Sequence, residues 1–286
     1  MAEVATFAMS DQLLVVIDPV ARMTDGEAVR IAKDVLSAGA ATKVCLPDDP
    51  DEFARALARR GSRRPVVVGD DRALTRAVTL LHRQRELAEC VLSVVPVGGA
   101  LSLAGSLGVP TGAVAAARAV LEGVERRLDL LVDDSDGVVL GGLGIPPVRE
   151  PGVPAGATAV GPGAGRPWLR TCQSLVRTLV PARAASAAGS GPARLRVEVD
   201  GATLVDLDQP VEAVSVAPGG AGVAEVEVRP ASVGAEATPL RVEGRTVTVS
   251  GAHFRYRADT EVSGPVRTRT WVVREGAWGL TVPVVG

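Results

Sequence analysis

The sequence predicts an α/β protein with a doubly wound, mostly parallel N-terminal domain and a C-terminal antiparallel, β-sandwich-like domain. Short apolar runs alternate with amphipathic helical segments over residues 13–140, whereas apolar and polar residues alternate at period two after residue 193. Hydrophobic residues make up 47% of the 286-residue chain, enough to build a sizeable core. We therefore expect domains at 10–132 and 193–286, separated by a Gly-, Pro- and Ala-rich linker or insertion at 141–192.

The first half of the chain predicts a parallel sheet covered by helices. Four apolar runs have the length and composition of strands buried on both faces: 13–17, 42–46, 65–68 and 91–95. Thr24 and Glu27 form a capping box for a helix that stops at Gly39, and Asp49 caps the next helix. Since ligands of such sheets bind at the carboxyl ends of the strands, we expect the functional site at that edge.

The second half predicts antiparallel strands. Four segments alternate apolar and polar residues, with turn residues between them: 195–199, 211–216, 224–228 and 242–249. Within the linker or insertion, one helix is expected from Trp168 to Val180.

The overall charge argues against a nucleic-acid-binding protein. The formal net charge is -2, with 31 basic and 33 acidic residues, so there is no global basic field. Cys45, Cys90 and Cys172 are far apart, which argues against a disulfide framework or a structural zinc site and fits a reducing cytoplasm. With only His82 and His253, a histidine metal site or a Ser-His-Asp triad would rest on one histidine.

Residues 91–110 carry no charge and raise the question of a membrane span. Because Pro96 and several glycines interrupt this segment, we interpret it as a strand, a loop and a short helix. The N-terminus lacks a basic region followed by a long apolar run, so no secretory signal is expected. The sequence therefore predicts a cytoplasmic protein, with Met9 as an alternative start.

The turn after the third predicted strand is the most informative stretch. An apolar run breaks at Gly69, passes through Asp70, Asp71 and Arg72, and enters a helix. In phosphate-binding loops of this shape, several glycines let backbone N–H groups close on the anion at the helix N-terminus. Since only Gly69 is present, either a cation lies between the protein and the phosphate or no phosphate binds. The alternative is a plain turn in which Asp70 or Asp71 caps the helix.

Four short segments follow one another in a recognisable order. Asp18-Pro19 ends the first strand, residues 69–73 follow the third strand, residues 96–102 follow the fourth, and residues 259–261 lie in the β-rich half. In this arrangement the chain resembles the catalytic domain of diacylglycerol kinases, whose fold is shared with NAD kinases and sphingosine kinases.

The motifs of that family are kept only in part. Residues 69–73 correspond to Gly-Gly-Asp-Gly-Thr and retain the first glycine and the aspartate. Residues 96–102 correspond to Pro-x-Gly-Thr-x-Asn-Asp, of which the proline and Gly98 remain, while Gly99 stands in place of the threonine. Residues 259–261 read Asp-Thr-Glu where the family has Asp-Gly-Glu, so both carboxylates persist.

The resemblance implies ATP-dependent phosphorylation of a diacylglycerol-like hydroxyl, with ATP and Mg²⁺ as cofactors. It implies Asp259 as the catalytic base, with Glu261 beside it. It also implies a nucleotide site formed by Asp18, Gly69, Asp70, Asp71, Arg72, Gly98 and Gly99. The expected partner is a diacylglycerol-like lipid or a membrane surface, contacted transiently at the inner face of the membrane, and a homodimer is an open alternative.

Three functions remain open at this point. The first is a lipid kinase. The second is a pseudokinase that binds lipid or nucleotide and has lost catalysis, since two loops have lost family residues. NAD kinase is the third and the weakest, because the late acidic motif fits the lipid branch. Four arginines on two predicted strands form either a lipid-facing basic patch or a solvated sheet face: Arg255, Arg257, Arg267 and Arg269.

Overall fold

The computed structural model describes residues 12–146, 192–231 and 238–284. The predicted helix at 168–180, most of the predicted linker at 141–192 and the alternative start Met9 lie outside these ranges. The first part of the chain follows the order β1 (Leu13–Ile17), α1 (Pro19–Thr24), α2 (Gly26–Gly39), β2 (Thr42–Cys45), α3 (Pro50–Ala58), β3 (Arg64–Gly69), α4 (Asp71–Arg83), β4 (Val91–Pro96), α5 (Ser102–Ser106) and α6 (Ala113–Glu122).

The second part consists of strands. They follow the order β5 (Val124–Asp133), β6 (Val138–Val139), β7 (Leu143–Ile145), β8 (Ala193–Val199), β9 (Ala202–Val205), β10 (Pro210–Gly220), β11 (Val223–Pro230), β12 (Leu240–Gly244), β13 (Thr246–Ala258) and β14 (Glu261–Val282). The predicted mixed α/β fold is confirmed.

The four strands of the first part pair in parallel in the order β2-β1-β3-β4. Every residue of β1 is buried, because helices cover both faces of this sheet. On one face α2 and α6 contribute Leu36 and Val120 to the core, and on the other α3 and α4 contribute Phe53 and Leu74. The carboxyl ends of β1, β3 and β4 therefore meet at one edge of the sheet.

The long strand β14 joins the two parts of the chain. It pairs with β13 and β5 in antiparallel fashion, and near its end Gly279 and Leu280 lie parallel to Val91 and Leu92 of β4. The described strands therefore form one continuous sheet of 14 strands. A second apolar core lies among the antiparallel strands, with Trp271 fully buried in it.

Two sequence predictions of element boundaries are wrong. Thr24 does not begin a helix with Glu27: α1 ends at Thr24, and Asp25 caps α2 by accepting a hydrogen bond from the Ala28 N–H at 2.9 Å. The segment predicted as one strand at 242–249 is split between β12 and β13, since the chain turns after Gly244. A side chain at Gly244 would lie 2.2 Å from Val199, so only glycine permits this approach.

No helix in the described ranges is both long and apolar enough to cross a bilayer.

Candidate functional site

The turn between β3 and α4 is closed by packing around Gly69. A Cβ atom at this position would lie 2.6 Å from the Cβ atom of Ala73 and 3.0 Å from that of Asp18. The glycine therefore lets α4 and the end of β1 approach each other. The residue that the sequence marks as the remnant of a phosphate loop has a structural reason to be glycine.

The first three N–H groups of α4 all donate to groups of the chain itself. The N–H groups of Arg72 and Ala73 donate to Asp70 Oδ1, both at 3.1 Å. The Asp71 N–H donates to the Ala100 carbonyl at 2.9 Å, and the Leu74 N–H then makes the first regular helical hydrogen bond, to the Asp70 carbonyl. The N–H groups of residues 71–73 are donors that a helix N-terminus would otherwise offer to an anion. Asp70 thus acts as the N-cap of α4, and the Arg72 side chain is exposed with no hydrogen-bonding or ionic partner among the described residues.

Asp71 is a buried carboxylate that holds α5 in place. Only 1% of the residue is exposed. Its oxygens accept hydrogen bonds from the backbone N–H groups of Leu103 at 2.9 Å and Ala104 at 3.0 Å, and from the Ser102 hydroxyl at 3.3 Å. Asp71 therefore satisfies amides at the start of a neighbouring helix.

The loop after β4 packs on the turn after β3. Gly98 has a φ angle of +135°, and a Cβ atom there would lie 3.1 Å from the Asp70 Cβ atom. The Val97 N–H donates to the Gly69 carbonyl at 2.9 Å, which fixes the two loops together. Gly99 has open space around its Cβ position. Gly98 thus serves the contact between the loops, whereas Gly99 has no such steric reason.

Asp259 lies in the hairpin turn between β13 and β14. Its carboxylate accepts hydrogen bonds from three successive backbone N–H groups, those of Leu140 at 2.8 Å, Gly141 at 2.7 Å and Gly142 at 3.1 Å. Burial has the largest effect on the pKa of Asp259 and raises it. The three N–H donors lower this pKa and the charge of Asp71 raises it further, so that the pKa is raised overall.

Asp71 and Asp259 lie on opposite sides of one junction between the two parts of the chain. The side chain of Leu103, whose N–H binds Asp71, reaches Gly141, whose N–H binds Asp259. A Cβ atom at Gly141 would lie 2.6 Å from Leu103 Cδ1. The structure thus brings the two predicted carboxylates together and fills the space between their loops with an apolar side chain.

Other predicted site residues have different surroundings. Glu261 is exposed and makes no hydrogen bond or ion pair with any residue in the described ranges. Asp18 is 2% exposed, caps α1 by accepting from the Val20 N–H at 2.8 Å, and pairs with Arg76 at 2.8 Å. No sequence pattern singled out Arg76, although a buried aspartate at a strand end is expected to have a cation nearby.

The four arginines do not form one free basic patch. Arg269 pairs with Asp134 and lies 3.8 Å from Asp133, and its side chain is only 16% exposed. Burial raises the pKa of Asp133, but hydrogen bonds from Ser135 and Gly137 and the charge of Arg269 hold it below its ordinary value overall. Arg269 is therefore a structural partner of this acidic turn, while Arg255 and Arg267 are exposed.

The residues expected to hold Mg-ATP do not fit that group. The amides at the start of α4 are engaged, and the oxygens of Asp71 and Asp259 accept hydrogen bonds from N–H donors. Among the described residues, no group of three or more His, Cys, Asp or Glu side chains could hold a metal ion.

Comparisons with known proteins identify the fold. No family model and no curated protein sequence matches the chain. Three solved structures from Bacillus anthracis str. Sterne each align over 96% of this chain and 98% of their own length, with TM-scores of 0.68, 0.70 and 0.66 and sequence identities of 12%, 13% and 12%. Two are provisionally assigned as diacylglycerol kinases, and the third is described as a diacylglycerol kinase. The chain therefore has a diacylglycerol kinase-like fold.

Proposed function

We propose that the chain is a catalytically inactive protein with a lipid kinase-like fold, which binds lipid and does not transfer phosphate. The single observation that carries this proposal is the closure of the α4 N-terminus, where the Asp70 side chain and the Ala100 carbonyl accept the three leading N–H groups.

The physical argument concerns the charge of a triphosphate. Enzymes that transfer phosphoryl groups act mainly by positioning the phosphates and neutralising their charge with backbone amides, cationic side chains and metal ions. Here the amides are occupied, and Asp70 adds a negative charge where a phosphate would approach. Arg72 is the one cation in this turn, and a single exposed guanidinium does not replace a set of converging amides.

Titration with Mg-ATP tests the loss of nucleotide binding. A ligand at one hundred times its Kd stabilises a protein by about 2.7 kcal/mol, which a thermal-shift assay detects readily. We expect no shift for the wild-type protein. In Asp70→Gly the cap is removed and the N–H groups of Arg72 and Ala73 become available, so a shift in this variant alone would identify the cap as the block. A clear shift in the wild-type protein would contradict the proposal.

Lipid binding is the second part of the proposal, and it rests on the fold. Vesicles containing diacylglycerol are compared with vesicles lacking it in a flotation assay, in which a transient peripheral contact appears as a partial shift of the protein. Flotation that does not depend on diacylglycerol would argue against this lipid-binding role.

An active lipid kinase is the second candidate, and the placement of Asp259 favours it. This carboxylate lies close to Asp71, and its raised pKa moves it toward the range useful for a general base. The test is incubation with labelled ATP, magnesium and diacylglycerol vesicles. Labelled lipid formed by the wild-type protein and lost in Asp259→Asn would establish the kinase and overturn the inactive assignment. We expect no labelled lipid.

A further inference from the structure

A groove of about 570 Å³ lies at the opposite end of α4 from the candidate site. Its walls are the C-terminal end of α4, the strand β5 and the irregular part of β14 that begins at Arg274. From Asp71 to Arg83 the helix rises about 18 Å, so the groove is separate from the junction that holds Asp71 and Asp259.

Three arginines surround this groove without a counter-ion. The side chains of Arg83, Arg85 and Arg274 line it and are exposed. None of them makes a salt bridge or a side-chain hydrogen bond with any residue in the described ranges. Other exposed arginines, such as Arg30 and Arg229, have carboxylate partners.

Three carboxylates near the groove are directed to other partners. Asp136 lies on the rim, and its Oδ1 atom forms a hydrogen bond with His82 Nε2 at 2.9 Å. Glu86 pairs with Arg60, and Glu275 lies 4.0 Å from Arg245. The positive charge of the groove is thus left open to an external anion.

The irregular part of β14 is held firmly, so the position of Arg274 is defined. Between Arg274 and Trp278 the register of the pairing with β5 shifts, so that three residues of β14 lie opposite the single residue Asp129. The Gly276 N–H donates to Asp129 Oδ1 at 2.8 Å. Arg127 donates to the carbonyls of Gly276 at 2.7 Å and Ala88 at 3.1 Å, which ties this bulge to the chain beyond α4.

The floor of the groove is apolar. Leu87, Leu130 and Val132 form it, and Ala277 contributes from the bulge. A groove of this volume has the size of an ordinary small-molecule site, and guanidinium groups bind phosphate oxygens with two hydrogen bonds each. Convergent arginines above an apolar floor fit a molecule with a phosphate group and a non-polar part.

We propose that this groove binds a phosphate monoester carrying a non-polar group, through Arg83, Arg85 and Arg274. The shared chemistry is that of a phosphorylated lipid headgroup or a free phosphorylated metabolite. The site does not depend on whether the chain transfers phosphate.

The experiment compares two variants of equal charge. The groove variant carries Arg83→Gln, Arg85→Gln and Arg274→Gln, and the control carries Arg59→Gln, Arg118→Gln and Arg194→Gln. The control arginines are also exposed and have no carboxylate partner among the described residues. Each protein is titrated with phenyl phosphate by calorimetry and, separately, is tested for flotation with vesicles containing phosphatidate or phosphatidylcholine alone.

We expect the groove variant to bind one of the two phosphate probes about tenfold more weakly than the wild type, while the control binds like the wild type. Binding of phenyl phosphate identifies a free phosphorylated metabolite as the source, and binding of phosphatidate vesicles alone identifies a lipid headgroup. The proposal is overturned if the wild type binds neither probe, or if both variants lose affinity equally. Arg274→Gln alone, also measured, decides the matter if the triple variant folds poorly by circular dichroism.

Discussion

Replacement of Asp71 by alanine tests whether this buried carboxylate is a structural cap or a ligand of Mg-nucleotide. In the structure it accepts hydrogen bonds from backbone N–H groups at the start of α5, so its removal should destabilise the fold even when no ligand is present. The matched control is Asp70→Ala, one residue earlier, which removes a half-buried N-cap that serves α4 alone.

The magnitude follows from the groups left without a partner. Asp71→Ala leaves the buried N–H groups of Leu103 and Ala104 without acceptors, at about 1–3 kcal/mol each. The variant also relieves the repulsion of Asp259, which offsets part of this cost. We expect a loss of about 3 kcal/mol in the free energy of unfolding, against about 1 kcal/mol for the cap removed in Asp70→Ala.

Denaturation with urea measures both values, with the slope of each transition checked for equality. Trp271 and Trp278 are fully buried, so tryptophan fluorescence reports unfolding. If Asp71→Ala costs no more than Asp70→Ala, the carboxylate does not hold α5 and the structural interpretation of this residue is wrong.

Three further predictions concern the same region. Gly69→Ala should destabilise the protein by about 1–3 kcal/mol through overpacking, whereas Gly99→Ala should change stability by less than about 0.5 kcal/mol in the same urea assay. Because the pKa of Asp259 is raised, the folded state binds more protons than the unfolded state. The free energy of unfolding should therefore fall as pH rises from the ordinary aspartate pKa through the pKa of the folded state. Asp259→Asn should lack this fall, and carbon NMR titration should show a lower Asp259 pKa in Asp71→Asn. Arg76→Met should cost about 2 kcal/mol, because it leaves a buried carboxylate without its cation, and an unchanged urea midpoint would contradict this.

Much of the first half of the fold could be predicted from local pattern. Parallel strands buried on both faces appear as short apolar runs, and the predicted starts and ends of β1 to β4 differ from the observed ones by at most a residue or so. Asp49 was identified correctly as a cap because Pro50 follows it. At Thr24 and Asp25 two residues with good capping side chains are adjacent, and the sequence gives no reason to choose between them.

The second half of the fold was harder to predict from the sequence, because its strands are long and interrupted. The period-two pattern of β14 is broken by the bulge after Arg274, and its pairing with β4 joins residues far apart in the chain. No local signal reports such a contact.

The resemblance to diacylglycerol kinases implies that Asp71 and Asp259 serve one site, and in the structure the charge of Asp71 acts on Asp259. The oxygens of the two carboxylates accept hydrogen bonds from backbone N–H groups of α5 and of residues 140–142. These contacts depend on how those segments are oriented. The same holds for Leu103, whose contact with Gly141 has no counterpart in spacing or composition.

The path of β14 has a consequence for the order in which the protein is made. Trp278 and Leu280, near the C-terminal end, belong to the same core as Leu14 and Leu74. The N-terminal part therefore leaves the ribosome with one sheet edge and part of its core unfilled until Trp278 and Leu280 emerge. A fragment ending near residue 132 would keep that defect permanently, so the residues that are synthesised first complete their core only when β14 has formed.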